Sequence, residues 1–314
     1  MTRYRFVLRR TASLVPLLLG IVLLVMLLLS LAPGDPARQV AGPRAPQAEV
    51  DRISHELGLD LPIWERYLRY VTDVLTGDLG TSFQTGQAVS GEIVAQLPVT
   101  LSLAITGVVL ALLVSVPLAV LAARRLDGAV DHAARGLGVL GIGLPTFWVA
   151  IMAIQLVALP TGWFPVAGFG DSFGQHVRAL VLPATVLAIS LTAPMIRSLR
   201  ATMIELAGAE FVLAARTLGF GGGELVRRFQ LRNAVSPLIT VTAAQAGYAL
   251  FGTVVIEVAF GMPGMGLGLV TAASTRDFPV VQGYTLVFAV LAVLVYLFSD
   301  VVTSIVDPRV RITA

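Results

Sequence analysis

IVAQLPVTLSLAITGVVLALLVSVPLAVLAA, residues 93–123, runs for 31 positions without an aspartate, glutamate, arginine or histidine. The hydrocarbon core of a bilayer needs about 20 mostly apolar residues per helix, because unpaired backbone groups cannot be left in hydrocarbon. The stretch therefore predicts a membrane-spanning helix. Working outward from it, five further charge-free stretches are long enough: 11–34, 136–170, 179–196, 233–256 and 278–299. In chain order, with 93–123 second, the third (136–170) exceeds one span, and its tail (Pro160, Gly162, Pro165, Gly168, Gly170) reads as a loop. The fourth (179–196) is marginal at 18 residues and contains Pro183 and Pro194, kinks that neighbouring helices can absorb. The predicted fold class is an all-α integral membrane protein with six transmembrane helices.

Composition agrees. Hydrophobic residues make up 56% of the 314, charged residues 13%, and mean hydropathy is +0.84. A soluble domain averages about 25% charged residues, so this chain has too little polar surface to face water all round. All 22 basic residues are arginine. A chain without lysine supplies neither a P-loop lysine nor a Schiff-base amine. With no cysteine, disulfides, thiolate metal sites and thiol nucleophiles are excluded. His55, His132 and His176 sit on three separate segments without metal-ligand spacing, and neither HExxH nor GxSxG occurs. No catalytic, cofactor-binding or metal-ligating residue is expected, and the net charge of +3 belongs to membrane topology, with no nucleic-acid partner.

Arginine placement gives the orientation. With the N-terminus inside, the inner segments carry 15 arginines and the outer ones 7. Both termini are expected in the cytoplasm. The positive residues before 11–34 resemble a signal peptide, but the apolar run is long and no small-residue cleavage site follows Leu31, so it reads as a retained helix. The outer segment that follows holds nine carboxylates against five arginines. Behind Pro62, Ile63, Tyr67, Leu68, Val71, Val74 and Leu75 recur at near-helical spacing, predicting an amphipathic helix on the outer membrane surface. It reads either as a structural cap over the bundle or as a ligand contact.

The largest inner loop, 197–235, has helical character. Glu205 to Leu218 is rich in helix formers, Gly219 follows as a helix-ending residue, and Gly221-Gly222-Gly223 makes a corner. A second helical stretch, Glu224 to Ala234, puts Leu225 and Phe229 on one face and Arg228 and Arg232 on another, then passes through Ser236-Pro237 into the next span. Physics alone leaves two readings open: a docking surface for another protein, or an ordinary positively charged inner loop.

The run Ala214-Ala215, Gly219 and Pro237 resembles the EAA loop of ABC importer permeases. Phe211-Val212-Leu213-Ala214-Ala215-Arg216-Thr217-Leu218-Gly219 and Leu231-Arg232-Asn233-Ala234 are similar to the B-type inner-membrane permeases of the dipeptide, oligopeptide and nickel importers. Leu31-Ala32-Pro33-Gly34-Asp35-Pro36, Leu57-Gly58-Leu59-Asp60, Gly77-Asp78-Leu79-Gly80-Thr81-Ser82, Pro263-Gly264-Met265-Gly266 and Asp307-Pro308-Arg309 extend the resemblance from about residue 3 to 311. One departure is that Leu213 stands where the general EAA pattern has glutamate.

The resemblance implies a type I ABC importer permease fold and a mechanism. Such a permease pairs with a second homologous permease and docks a coupling helix into one of one or two cytoplasmic ATPase subunits, which bind ATP and magnesium. A substrate-binding protein or lipoprotein delivers ligand from outside. The chain itself is then not an enzyme. It divides into a cytoplasmic N-terminus (1–10), a first transmembrane helix (11–34), an extracytoplasmic segment (35–97) and a five-helix permease core (98–314) containing the coupling loop 197–235. Phe211, Ala214, Ala215, Arg216 and Gly219 carry the expected ATPase coupling, with the two alanines permitting close approach. Glu257, Phe260, Pro263 and Gly264 are the candidates for a translocation path or outer gate, although Glu257 also fits a structural bond to the Pro263–Gly266 loop. Asp300 and Asp307 read as structural. Short peptides are the expected substrate; a nickel or metal-chelate importer is the alternative within the family, and an autonomous secondary transporter the alternative outside it. No internal repeat of the kind that marks secondary transporters is evident.

Overall fold

A computed structural model describes residues 2–31, 34–42 and 44–306, with side chains from residue 15 onward except those of 139, 140, 142 and 306. The side chains of the arginines in 3–10, Ala32-Pro33 of the first motif, and Asp307-Pro308-Arg309 lie outside the described residues. Along the chain the helices are α1 (Thr2–Leu31), α2 (Pro36–Ala41), α3 (Gln47–Glu56), α4 (Ile63–Leu75), α5 (Val89–Arg124), α6 (Ala129–Gly143) and α7 (Thr146–Ala153). A π-helical turn (Ile154–Ala158) leads to α8 (Leu159–Thr161), followed by α9 (Phe173–Ala207), α10 (Glu210–Thr217) and α11 (Gly222–Leu225). A second π-helical stretch (Val226–Leu231) joins α12 (Arg232–Ala259), and α13 (Met265–Ser274) and α14 (Phe278–Val306) complete the order.

Among the described residues, four helices are long and apolar enough to cross a membrane: Val89–Arg124, Phe173–Ala207, Gly222–Ala259 and Phe278–Ile305. They coincide with the second, fourth, fifth and sixth stretches expected from the sequence. The first lies within α1, which runs unbroken from Thr2 to Leu31 and whose described apolar part is Val15–Leu31. The third stretch is broken at Leu144-Pro145 into α6 and α7. Proline lacks the N–H that would continue α6, and it biases the residue before it away from helical geometry. Gly136, Gly138, Gly141 and Gly143 weaken the helix just before the break. The tail of this stretch is a loop, as expected: α8 ends at Gly162 in a left-handed conformation.

The chain forms two compact units, one of Met1–Val99 with Pro263–Val293 and one of Thr100–Met262 with Leu294–Thr313. In the second, α9 is the central helix. The stretch 179–196, marginal by hydropathy, is the most buried of the four candidate spans. It packs through small residues. A Cβ at Gly107 would lie 2.6 Å from Leu187, and one at Gly141 would lie 2.9 Å from the Ala193 methyl. With no hydrophobic drive between helices in lipid, such close approach supplies the dispersion that holds them. The same unit buries one carboxylate. Asp131, in the first turn of α6, is fully buried and receives the Nε and Nη2 of Arg200 on α9, with Arg135 one turn further along α6 at 2.8 Å. The Arg200 guanidinium holds the Asp131 carboxyl down at about 2, against the opposing effect of burial.

In the first unit the amphipathic helix forms at the expected place as α4. Ile63, Tyr67, Val71 and Val74 are half-buried, and the Tyr67 hydroxyl donates to the Leu19 carbonyl of α1 at 3.2 Å. Trp64, Leu68 and Leu75 stay exposed, an apolar row suited to a lipid interface. Two helices of this segment were not anticipated. α2 is capped by the Asp35 side chain on the Ala37 amide at 2.9 Å with Pro36 at its first position, and α3 follows Pro46.

Candidate functional site

The loop between α9 and α12 folds as a small structure of its own. α9 runs to Ala207, so the helical stretch expected from Glu205 to Leu218 is interrupted at Gly208-Ala209, and α10 begins at Glu210. α10 ends in a Schellman cap. The Phe220 amide donates to the Ala215 carbonyl at 3.2 Å, the Gly219 amide to Arg216 at 3.1 Å, and Gly219 takes φ +90°. That conformation excludes most side chains, which is why a glycine ends this helix. The cap turns Phe220 back onto α10. There Val212, Ala215 and Leu225 form a buried cluster with Phe220 and Phe229 against it, their rings 5.3 Å apart. The second helix starts at Gly222 and winds through the π-helical stretch into α12, so Pro237 lies within a continuous helix.

The expected coupling residues therefore separate into two faces. Ala215 is buried, and its small size lets α10 lie on Leu225. Phe211, Ala214 and Arg216 are exposed, as are Leu213 and Leu218. Phe211, Ala214 and Leu218 follow i, i+3, i+7 spacing and make one outward apolar row. Alanine at 214 keeps the middle of that row flat.

The four path candidates are divided as well. α12 closes with a second Schellman cap, in which the Met262 amide donates to the Glu257 carbonyl at 2.9 Å and Gly261 takes φ +53°. Glu257 and Phe260 are buried in the packing of this helix end. Pro263 and Gly264 instead line a groove of about 550 Å³ that also takes in Glu92, Gln96, Asp277 and Tyr284. Asp277, buried just before α14, organises the groove's floor: it accepts the Ser82 hydroxyl, the Phe83 amide at 3.0 Å and the Gln84 amide at 3.3 Å. These bonds fix the 81–88 turn, which closes on itself through an antiparallel bridge between Thr81 and Ala88. Glu92 stands in the first turn of α5, where the helix dipole favours a carboxylate.

Sequence reasoning named Pro263 and Gly264 but missed the polar residues of the groove. Glu92 entered only as one of nine outer carboxylates, yet Glu92 and Gln96 are one turn apart at the very edge of the charge-free stretch, a position where a polar pair is costly unless it has a use. Asp277 gave no signal, because its partners lie almost 200 residues earlier in the chain.

The helices and the capped loop define a multi-pass α-helical membrane protein that displays a short helix with an apolar outer face. Comparison with known proteins identifies the class more narrowly. Residues 115–312 match the model of the binding-protein-dependent transport system inner membrane component, and residues 3–104 match that of the N-terminal part of such membrane components. An oligopeptide transport system permease protein of Bacillus subtilis is 34% identical over 312 residues, covering 98% of this chain and 99% of the relative. A putative peptide transport system permease protein of Brucella abortus is 37% identical over 97% of this chain and 98% of its own length. A dipeptide transport system permease protein of Escherichia coli is 34% identical over 98% of each. Among solved structures, the fold is similar to that of the MetNI methionine ABC transporter in inward-facing conformations, with a TM-score of 0.53 at 17% identity over 68% of this chain and 96% of that one. The chain belongs to the family of inner-membrane components of binding-protein-dependent transport systems. Its place is the inner membrane, and its fold is that of an ABC importer permease.

Proposed function

We propose that this chain forms half of the translocation pathway of an ATP-driven importer of short peptides. The carrying observation is α10: a short helix, locked by its own cap and core, whose outer face leaves Phe211, Ala214 and Leu218 uncovered. A helix needs few exposed apolar residues unless something else covers them. Here that cover is a cleft on a cytoplasmic ATPase subunit. The relatives' peptide-transport names support the substrate class.

In this reading six helices cross the membrane, the broken α6–α8 segment and α1 included, with both termini in the cytoplasm. The arginine-rich loop lies inside, and the α2–α4 segment lies outside under a binding protein. A second permease completes the pathway. ATP and magnesium sit between ATPase subunits, whose closure pushes on α10. Because the second loop helix is continuous with α12, that push is carried directly into a membrane-spanning helix. Pro263 and Gly264, beside α13, belong to the path on the outer side, while Glu257 and Phe260 support the end of α12.

Gentle purification of the tagged chain tests this. Recovery of a second permease and one or two ATPases, with hydrolysis stimulated by a peptide-loaded binding protein, is the expected result. Transport of peptide by this chain alone in liposomes overturns it.

A further inference from the structure

The groove beside α13 contains a carboxylate with spare acceptor capacity and one buried acceptor without a donor. Of the described side chains lining it, Glu92 and Asp277 are acidic and none is basic. Asp277 is committed to the 81–88 turn by three hydrogen bonds. Glu92 is not. Its Oε1 accepts from Thr85 Oγ1 at 2.8 Å and its Oε2 from the Tyr284 hydroxyl at 3.4 Å, both neutral donors. A carboxylate has about four acceptor sites, so two neutral donors leave both its charge and part of its capacity unused. One turn along α5, Gln96 Oε1 is buried without a hydrogen-bond partner. It is pressed against Gly268 of α13, where a Cβ would lie 2.4 Å from that oxygen and 2.6 Å from the Tyr284 ring. Gly268 is thus the residue that lets α13 approach Gln96 Oε1.

A buried acceptor without a donor costs about 1–3 kcal/mol, and it is tolerated where a ligand supplies the donor. Two acceptors one turn apart, one of them charged, ask for a cation with several N–H groups. Groups of three or more His, Cys, Asp or Glu fit to hold a metal ion do not occur among the described residues. The volume, about 550 Å³, falls within the roughly 300–1,000 Å³ of ordinary ligand pockets. The hydroxyls of Thr85, Thr271 and Thr275 around it can meet a peptide backbone.

We propose that this groove receives the α-ammonium group of the transported peptide, with Glu92 as its counter-ion and Gln96 Oε1 as a second acceptor. The proposal rests on the peptide-import reading and deepens it by naming the end of the peptide that is held.

The complete transporter, reconstituted in proteoliposomes with its binding protein and ATPases, is given radiolabelled trialanine. In parallel, carboxylates of the wild-type complex without binding protein are footprinted with a carbodiimide and a small amine, then located by mass spectrometry. Trialanine should protect Glu92, N-acetyltrialanine should not, and Glu65 on α4 should label equally in both. Glu92→Gln, which keeps the shape, should lower trialanine uptake at sub-saturating concentration about tenfold or more, the scale of one lost hydrogen bond to a charged group. Labelling of Glu92 unchanged by trialanine, or protected equally by the acetylated peptide, overturns the proposal while wild-type uptake leaves the peptide reading standing. Absence of trialanine uptake by the wild-type complex overturns both.

Discussion

Replacing Leu218 by aspartate separates docking from folding at α10. Leu218 is 77% exposed and lies outside the Val212–Ala215–Leu225 cluster, so the fold has little at stake there. A surface substitution of this kind changes stability by no more than about 0.5 kcal/mol. Docking is another matter. Full burial of a leucine side chain gains about 1.5–3 kcal/mol. Most of that gain is still available to a partner here, and the aspartate adds a carboxylate that must be desolvated. A loss of at least about 1.4 kcal/mol corresponds to about tenfold weaker association. Leu225→Ala is the contrasting change. Leu225 is buried, and its truncation costs about 2–5 kcal/mol, enough to open a loop held by one small cluster. Hydrogen exchange across 210–231 tells the two apart. In Leu218→Asp protection stays at the wild-type level while recovery of the ATPase with the tagged chain falls about tenfold. In Leu225→Ala both fall. Wild-type ATPase recovery and wild-type uptake by Leu218→Asp would refute the assignment of the outer face of α10 as the docking face.

Gly219→Asp should leave the protein inserted yet uncouple ATP hydrolysis from uptake. Gly219→Ala isolates the backbone part of that effect: a Cβ there meets nothing within 4 Å, so only the left-handed conformation is penalised, by about 1–2 kcal/mol, and a partial loss of coupled hydrolysis is the expected reading. Gly268→Ala drives a methyl into Gln96 Oε1 and the Tyr284 ring, an overpacking worth about 1–3 kcal/mol, and thermal unfolding of the purified complex in detergent should move to lower temperature. Asp131 has a folded pKa of about 2, below its ordinary value, so its stabilisation is complete above about pH 4 and lost as pH falls from there toward 2. Thermal stability of the wild type should therefore drop across that window by more than that of Asp131→Asn, which is less stable at neutral pH; parallel pH profiles of the two proteins would contradict this.

Several features were legible in the sequence because they depend on local chemistry. The apolar runs, the amphipathic α4 and the stop at Gly219 are set by residues within a turn or two of each other. The loop's two-helix character was legible for the same reason; the break at Gly208-Ala209 and the inner and outer faces of α10 were not. Ala214 and Ala215 are identical in sequence and in helix propensity. Their roles diverge because the cap folds Phe220 over one side of α10 and leaves the other bare. The break at Leu144-Pro145 lay within an unbroken apolar run, which hydropathy counts as one span although proline cannot continue the backbone ladder.

By itself, then, the sequence determined that this chain lives in a membrane, where its apolar stretches lie along the chain, and which loop carries the helix pair. Burying apolar length in lipid and ending a helix at a glycine need no distant partner. The tertiary structure alone decided which polar groups face one another. Asp277 holds a turn from the far end of the chain, Arg200 finds Asp131 across two helices, and Glu92 comes to share a groove with Gln96 and Tyr284. Charge placement along the chain reports topology, but a site is made by groups that only folding brings within a few ångströms.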